Sequence, residues 1–289
     1  MSNLSIPQEW RNFFWGGIFI YIIANLYLIS IGENIGTLAL FLGRTLYYVL
    51  LIWLTVKVTH PVPPQVPEAN QNKSKLWIQI LMISIVIIIT GLSLNLPIWS
   101  TIVEWSYNFG EATLPAEWFG GPGNSIANPV QYFVIPFILL LFLGAKPAEL
   151  GFAKGNKVWK TLLVWLALPI VAWIIFLASG LMPLQFLLRR LIGNAFQNGF
   201  FEEFLFRGAL QTRLGKLVST PWALTLQAII FGLWHLRANT QMMDGNIVAA
   251  LAICLISQTV SGFVFGYVFH RTKNLIVPSV AHVAMNALG

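Results

Sequence analysis

Three observations predict an all-α fold, a polytopic transmembrane helical bundle with about eight spanning helices. Hydrophobic types make up 57% of the 289 residues and charged types only 9%, whereas a soluble domain is about 25% charged. Apolar runs of about 20 residues, long enough to cross the hydrocarbon core, recur along the chain. Lys and Arg are concentrated between those runs, as the positive-inside rule requires. The net charge of +7 is therefore explained by membrane topology and does not indicate a nucleic-acid partner.

The first region, residues 1–145, is predicted to hold four spans. They fall at roughly 12–31, 35–58, 76–96 and 129–145. No signal-peptide cleavage site follows the first run, so we expect it to be retained. A Pro-rich, basic loop at 60–75 follows the second span, because proline cannot continue a helix. The stretch 97–128 has acidic residues but no Lys or Arg, which predicts a long non-cytoplasmic loop with room for a short interfacial helix.

The second region, residues 146–289, is predicted to hold four more spans. They fall at roughly 158–181, 196–215, 221–237 and 247–270. An irregular stretch at 184–195 suits an amphipathic interfacial or re-entrant helix, and a last apolar run, 275–288, is short for a span. The basic connections place the N-terminus in the cytoplasm. Arg and Lys at both ends of 184–216 leave open the face on which the sixth span begins.

Glu202, Glu203 and Arg207 interrupt a run that is otherwise almost entirely aromatic and aliphatic. A charged residue at membrane depth costs about 2.5–3.5 kcal/mol on insertion scales and usually has a function. Helical spacing puts Glu203 and Arg207 on one face within pairing reach, whereas Glu202 lies about 100° around the helix. Glu202 is therefore the carboxylate free to act as a general base or acid. The alternative is a structural ion pair, with Glu202 reaching the headgroups.

Two further polar clusters lie on later apolar segments. His235 ends the motif Phe-Gly-Leu-Trp-His, and its structural alternative is a core histidine bonded to a backbone carbonyl. His282 and Asn286 are spaced i,i+4 and share a helix face. Their structural alternative is hydrogen bonding between helices.

Taken together, the three clusters supply every group that one hydrolytic site requires. A carboxylate or a histidine activates water, and Asn and His side chains stabilise an oxyanion. Glu202, His235 and His282 could also ligate a divalent metal with the fourth position open for water. The chain has neither His-Glu-x-x-His nor Gly-x-Ser-x-Gly, no catalytic context around its one cysteine, Cys254, and no intramembrane Asp pair. These absences weaken the soluble zinc-protease, serine, cysteine and aspartyl alternatives.

The order of these motifs resembles that of one protease family. Glu-Glu-x-x-x-Arg (202–207), Phe-x-x-x-His (231–235) and His-x-x-x-Asn (282–286) follow one another on successive hydrophobic segments. The pattern resembles the CPBP family, the CAAX-type prenyl proteases and bacteriocin-processing proteins also called ABI. The resemblance covers roughly residues 145–289 and implies that 146–289 form a catalytic transmembrane core.

The resemblance implies a role for each of six catalytic residues. Glu202 would activate water with help from His235. Glu203 would be a second, orienting carboxylate partnered by Arg207. His282 and Asn286 would form the pair that stabilises the oxyanion. For the cofactor it leaves two options: none, or a divalent metal such as zinc held by Glu202, His235 and His282. We favour glutamate-activated water, because an asparagine is a better oxyanion donor than a metal ligand.

The function predicted on this basis is that of an integral, multi-pass intramembrane endopeptidase, in the plasma (inner) membrane if the source is bacterial. Its partners would be membrane lipid and a peptide or membrane-protein substrate, with a prenyl group or a leader sequence as the options left open. One alternative is a non-proteolytic scaffold or immunity protein that binds another membrane protein. A proton-coupled transporter is a third hypothesis, but the sequence lacks the two related halves expected of one.

Four other polar residues within spans need an explanation. Arg44 has an alternative place in the cavity, but we expect it to snorkel or to pair with Glu33 across the short connection. For Asn198, Gln227 and Gln258 we expect hydrogen bonds between helices, with cavity lining as the alternative.

Overall fold

The computed structural model describes residues 8–60 and 72–288, and within these ranges the chain is helical, with no strand. Most of the predicted Pro-rich loop, residues 61–71, lies outside the described residues. The described part of the first region holds seven α-helices. They are α1 (Gln8–Ser30), α2 (Ile35–Val58), α3 (Lys73–Leu92), α4 (Pro97–Thr113), α5 (Ala116–Phe119), α6 (Asn124–Pro129) and α7 (Ile135–Phe142).

The predicted long loop at 97–128 is mostly helical, and α4 alone has 17 residues. Pro97 occupies the first turn of α4, where the fixed φ of proline suits a helix start and its missing N–H is not needed. Gly110 lets α4 lie against the following connection, because a β-carbon there would come within 2.4 Å of the Pro122 carbonyl oxygen. Three of the residues that indicated a loop, Glu104, Gly110 and Glu111, therefore belong to a surface helix.

The described part of the second region, up to residue 288, continues with nine α-helices and several π-helical turns. The α-helices are α8 (Val158–Ala178), α9 (Leu184–Asn194), α10 (Phe200–Glu203), α11 (Thr212–Leu214), α12 (Thr220–Trp234), α13 (Leu236–Met242), α14 (Ile247–Ile253), α15 (Thr259–Thr272) and α16 (Ile276–Leu288). The π-helical segments Ala195–Gly199 and Phe204–Gln211 join α9, α10 and α11 into one continuous helix, and Cys254–Gln258 joins α14 to α15. Short π-helical insertions are frequent at functional sites, and here they flank Glu202 and Glu203.

Among the described residues, six helices are long and apolar enough to cross a membrane. They are Arg11–Ser30, Ile35–Val58, Lys73–Leu92, Asn124–Phe142, Val158–Ala178 and Ile247–Thr272. The polytopic helical bundle is thus confirmed. The two other expected spans, 196–215 and 221–237, are not long and apolar enough by the same criteria. The segment 196–215 carries several charged residues, and α12 has only 15 residues.

Close packing of α12 against α15 brings the polar segments together. Gly262 of α15 faces the α12 backbone, and a β-carbon there would lie 3.0 Å from the Ala228 Cα atom. Gly232 similarly faces the Thr259 side chain. Small residues let membrane helices approach closely, and this approach holds the C-terminal end of α12 beside α15.

Candidate active site

A cavity of about 170 Å³ lies between α2, α12, α15, α16 and the continuous helix that contains α10. Four of the six predicted catalytic residues line it: Glu202, His235, His282 and Asn286. The remaining lining residues are Arg44, Tyr48, Asn198, Phe231, Ser257, Gln258, Ser261, Phe265 and Met285. Residues as far apart in the sequence as Glu202 and Asn286 therefore contribute polar groups to one cavity.

Glu203 and Arg207 do not line the cavity but form a fully buried ion pair beside it. The Arg207 Nε atom lies 3.1 Å from the Glu203 Oε2 atom, and both side chains have no exposed surface. Arg207 also donates to the Gly262 carbonyl oxygen and stacks its guanidinium over the Phe231 ring. The i,i+4 pairing that helical spacing predicts is present, and it neutralises a carboxylate that would otherwise be very costly to bury.

Glu203 has a second partner that the sequence did not predict, His282. The His282 Nδ1 atom lies 2.9 Å from the Glu203 Oε1 atom. An ionised carboxylate only accepts hydrogen bonds, so Nδ1 carries the proton and donates it. The imidazole is held further by stacking on Phe265, at 5.2 Å between ring centroids. This leaves Nε2 directed towards Glu202, whose Oε2 atom is 4.0 Å away.

His235 follows the last residue of α12 and is fixed by its own backbone. Its Nδ1 atom lies 2.9 Å from the Phe231 carbonyl oxygen, which can only accept, so Nδ1 is again the donor. The free Nε2 atom of a neutral imidazole can then accept a proton. Trp234 packs edge-to-face on the imidazole and is itself bonded to Thr90 of α3. The bond to a backbone carbonyl, which was the structural alternative for His235, is thus present. The same residue also lines the cavity.

Asn286 is held in the cavity wall by α9. Its Nδ2 atom donates to the Asn194 Oδ1 atom over 3.2 Å, and its backbone carbonyl accepts from Arg190 over 2.7 Å. One amide hydrogen of Asn286 remains for another acceptor. Asn198, one turn after Asn194, also donates to the Asn194 Oδ1 atom. The amphipathic helix expected at 184–195 therefore supports the site, which its sequence did not suggest.

Arg44 lines the cavity, and the expectation that it snorkels or pairs with Glu33 was wrong. Its guanidinium donates to the Ser257 hydroxyl over 2.6 Å. The signal that could have found it is the one applied to Glu202, a charge inside an apolar span. Gln258 lines the cavity as well, whereas Gln227 is fully buried elsewhere and donates to the Gly262 carbonyl oxygen.

The proposed metal ligands do not fit a metal ion as they lie. Among residues 8–60 and 72–288, no group of three or more His, Cys, Asp or Glu side chains is placed to hold one. Glu202, His235 and His282 share the cavity without forming such a set. We therefore assign no catalytic step to a metal.

The family model described as Rce1-like, Type II CAAX prenyl endopeptidase, matches residues 156–288. No curated protein and no solved structure matches the chain. The matched segment contains all six predicted catalytic residues and excludes α1 to α7, so it leaves out Arg44 and Tyr48. Because six helices among the described residues are long and apolar enough to span a bilayer, the chain is an integral, multi-pass membrane protein. Residues 156–288, a little under half of the chain, are therefore similar to the Rce1-like family of Type II CAAX prenyl endopeptidases.

Proposed function

We propose that the chain is an intramembrane endopeptidase that hydrolyses a peptide bond with water activated by Glu202. The single observation that supports this most is the convergence of Glu202, His235, His282 and Asn286 on one cavity. Glu202 is a carboxylate that no Lys or Arg of the described residues approaches within 4.0 Å. Such a carboxylate, two oriented imidazoles and a free amide hydrogen can together hydrolyse an amide. The family match supplies the reaction class, because its members are described as endopeptidases.

In the proposed reaction Glu202 takes a proton from water as the oxygen attacks the peptide carbonyl carbon. The neutral His235 Nε2 atom orients that water by accepting its second hydrogen. The new carbon–oxygen bond places negative charge on the carbonyl oxygen, and the Asn286 amide donates to it. The carbon–nitrogen bond then breaks, and the proton held by Glu202 passes to the leaving nitrogen. Hydrogen atoms and charge balance over these steps without a cofactor.

His282 would act through its Nε2 atom, since Nδ1 is committed to Glu203. In the protonated imidazole both nitrogens donate, so Nε2 can join Asn286 in binding the oxyanion. Glu203 is then a positioning residue that fixes the ring, and Arg207 holds Glu203 in place. The resemblance implied an orienting role for Glu203 without naming its target. We propose that the target is the His282 imidazole.

The division into residues 1–145 and a catalytic core, 146–289, remains a prediction. The cavity takes Arg44 and Tyr48 from the first region, so we propose that the core is complete only with α2. A location in the plasma membrane for a bacterial source, and a prenylated or leader-bearing substrate, likewise remain predictions.

The test is cleavage of a quenched fluorescent peptide by purified protein in lipid nanodiscs. Glu202→Gln is expected to lower kcat at least about 100-fold, because general-base catalysis contributes about 10²–10⁴-fold. Glu104→Gln, at an exposed position of α4, is the matched control and should retain full activity. A chelator should leave the wild-type rate unchanged.

Full activity of folded Glu202→Gln would overturn this assignment. If the wild type cleaves no peptide but still captures another membrane protein, the scaffold alternative replaces the protease.

A further inference from the structure

Arg44 brings an unneutralised positive charge into the cavity. It is the tenth of the 24 residues of α2, well inside an apolar span. Its hydrogen bond to Ser257 joins it to a neutral group, and no carboxylate of the described residues lies within 4.0 Å of it. A guanidinium has five N–H donors, so most of its capacity is available. A charge retained at this depth indicates a ligand of opposite charge.

The distance between Arg44 and the catalytic groups can be estimated from the helix that both contact. Ser257, Ser261 and Phe265 follow one another at four-residue intervals along the segment that leads into α15. Arg44 binds the first, the Tyr48 hydroxyl lies 3.5 Å from the second, and the His282 ring stacks on the third. Eight residues at 1.5 Å each separate the two ends by about 12 Å.

That separation matches a short piece of extended peptide. Three residues span about 10–11 Å at 3.3–3.6 Å per residue. A CAAX motif ends in three residues after its prenylated cysteine. A substrate whose bond next to the cysteine lies at Glu202 and His282 would therefore bring its C-terminal carboxylate near Arg44.

We infer that Arg44 and Ser257 form a subsite for the C-terminal carboxylate of the substrate. This rests on the proposed function and adds to it a determinant that lies outside the matched segment 156–288. Arginine binds carboxylates bidentately. The Ser257 oxygen accepts from Arg44, so its hydroxyl hydrogen can be donated to the same carboxylate. Ser257 is 6% exposed, which fixes it as part of the wall.

The experiment compares two peptides that differ only in their end, a free carboxylate or a carboxamide. The wild type is expected to cleave the acid with a kcat/KM at least about 10-fold higher, since a hydrogen-bonded charge pair sheltered from water contributes a tenfold factor or more. Arg44→Gln should remove that preference by lowering the value for the acid and leaving that for the amide within about 2-fold. Lys57→Gln removes a charge from an exposed position of the same helix and should retain the preference.

Equal rates for acid and amide in the wild type would refute the subsite while leaving the protease intact. Equal losses on both peptides in Arg44→Gln would also refute it. Binding of the two peptides to Glu202→Gln, with and without Arg44→Gln, measures the same preference when no bond is cleaved. Absence of cleavage by the wild type would thus refute the proposed function, and the binding measurement would still decide the subsite.

Discussion

Two spans of nearly equal hydropathy have very different surroundings in this molecule. The window in Arg11–Ser30 has a mean hydropathy of 1.8 and is 11% buried, whereas that in Ile247–Thr272 has 2.1 and is 56% buried. The first presents large apolar side chains such as Phe19 outwards, at 65% exposure. The second packs glycines against neighbouring helices. Hydropathy therefore identifies a span but does not tell a lipid-facing helix from a central one.

The two regions also place their polar residues differently. The central helices carry clusters that contact one another, such as Glu203 with Arg207 and His282. The peripheral α2 has one buried face, which includes Tyr48 and Thr55. Arg44 of the same helix lines the cavity. A peripheral helix thus supplies a functional group only along the narrow face that meets the core.

The largest expected effect comes from breaking the central ion pair. Arg207→Met leaves the Glu203 carboxylate fully buried without a cation, and removing one partner of a buried pair costs about 3–5 kcal/mol. We expect a large drop in the unfolding temperature together with loss of cleavage, because His282 loses its fixed partner. Arg237→Met is the control: it removes an exposed cation and one hydrogen bond to the Leu92 carbonyl oxygen, and should lower the unfolding temperature far less. An unchanged unfolding temperature in Arg207→Met would contradict the pairing.

A matched pair of glycine substitutions tests the packing difference directly. Gly262→Val puts side-chain atoms against the backbone at Ala228 and should destabilise the protein by about 1–3 kcal/mol, the usual cost of overpacking. Because α12 carries His235, the rate of cleavage should fall as well. Gly17→Val adds the same atoms to α1, where nothing lies within 4 Å of the added β-carbon. Equal effects in thermal unfolding would show that the two spans are equally packed.

A pH-dependent effect, confined to the rim of the core, concerns a cation in the connection between α15 and α16. Burial lowers the pKa of Lys273 from 10.5 to about 8. The unfolded chain then binds a proton more tightly than the folded one, so the stability penalty is complete below pH 8 and disappears as the pH rises towards 10.5. Lys273→Met should therefore be more stable than the wild type near pH 7 and lose this advantage by pH 10.

Unfolding temperatures of the wild type and Lys273→Met, measured from pH 7 to pH 10, give the difference in stability. Lys57→Met, at an exposed position of α2, should show no such trend. A stability advantage of Lys273→Met that grew with pH would have the wrong sign.

Residues whose partners lie close in sequence were predictable. The Glu203 and Arg207 pair follows from one helical turn, and the apolar runs follow from composition alone. The contact between His282 and Glu203 spans 79 positions, and no local pattern contains it. Arg44 was assigned to the wrong surroundings because periodicity does not say which helix covers a given face. The helix α4 was read as a loop because Gly110 and Glu111 make their contacts with Pro122 and Gly123, in the connection before α6, which the local sequence does not show.

The sequence by itself determined that the chain crosses a membrane repeatedly, because bilayer thickness and backbone hydrogen bonding leave few options for long apolar runs. It also determined which residue types could perform hydrolysis and that Glu203 and Arg207 pair. Only the tertiary structure decided that Glu202, both imidazoles and Asn286 share one cavity, and that Arg44 of a peripheral helix joins them. Such convergence depends on how helices pack in three dimensions, and close packing is a property of surfaces that separate segments form together.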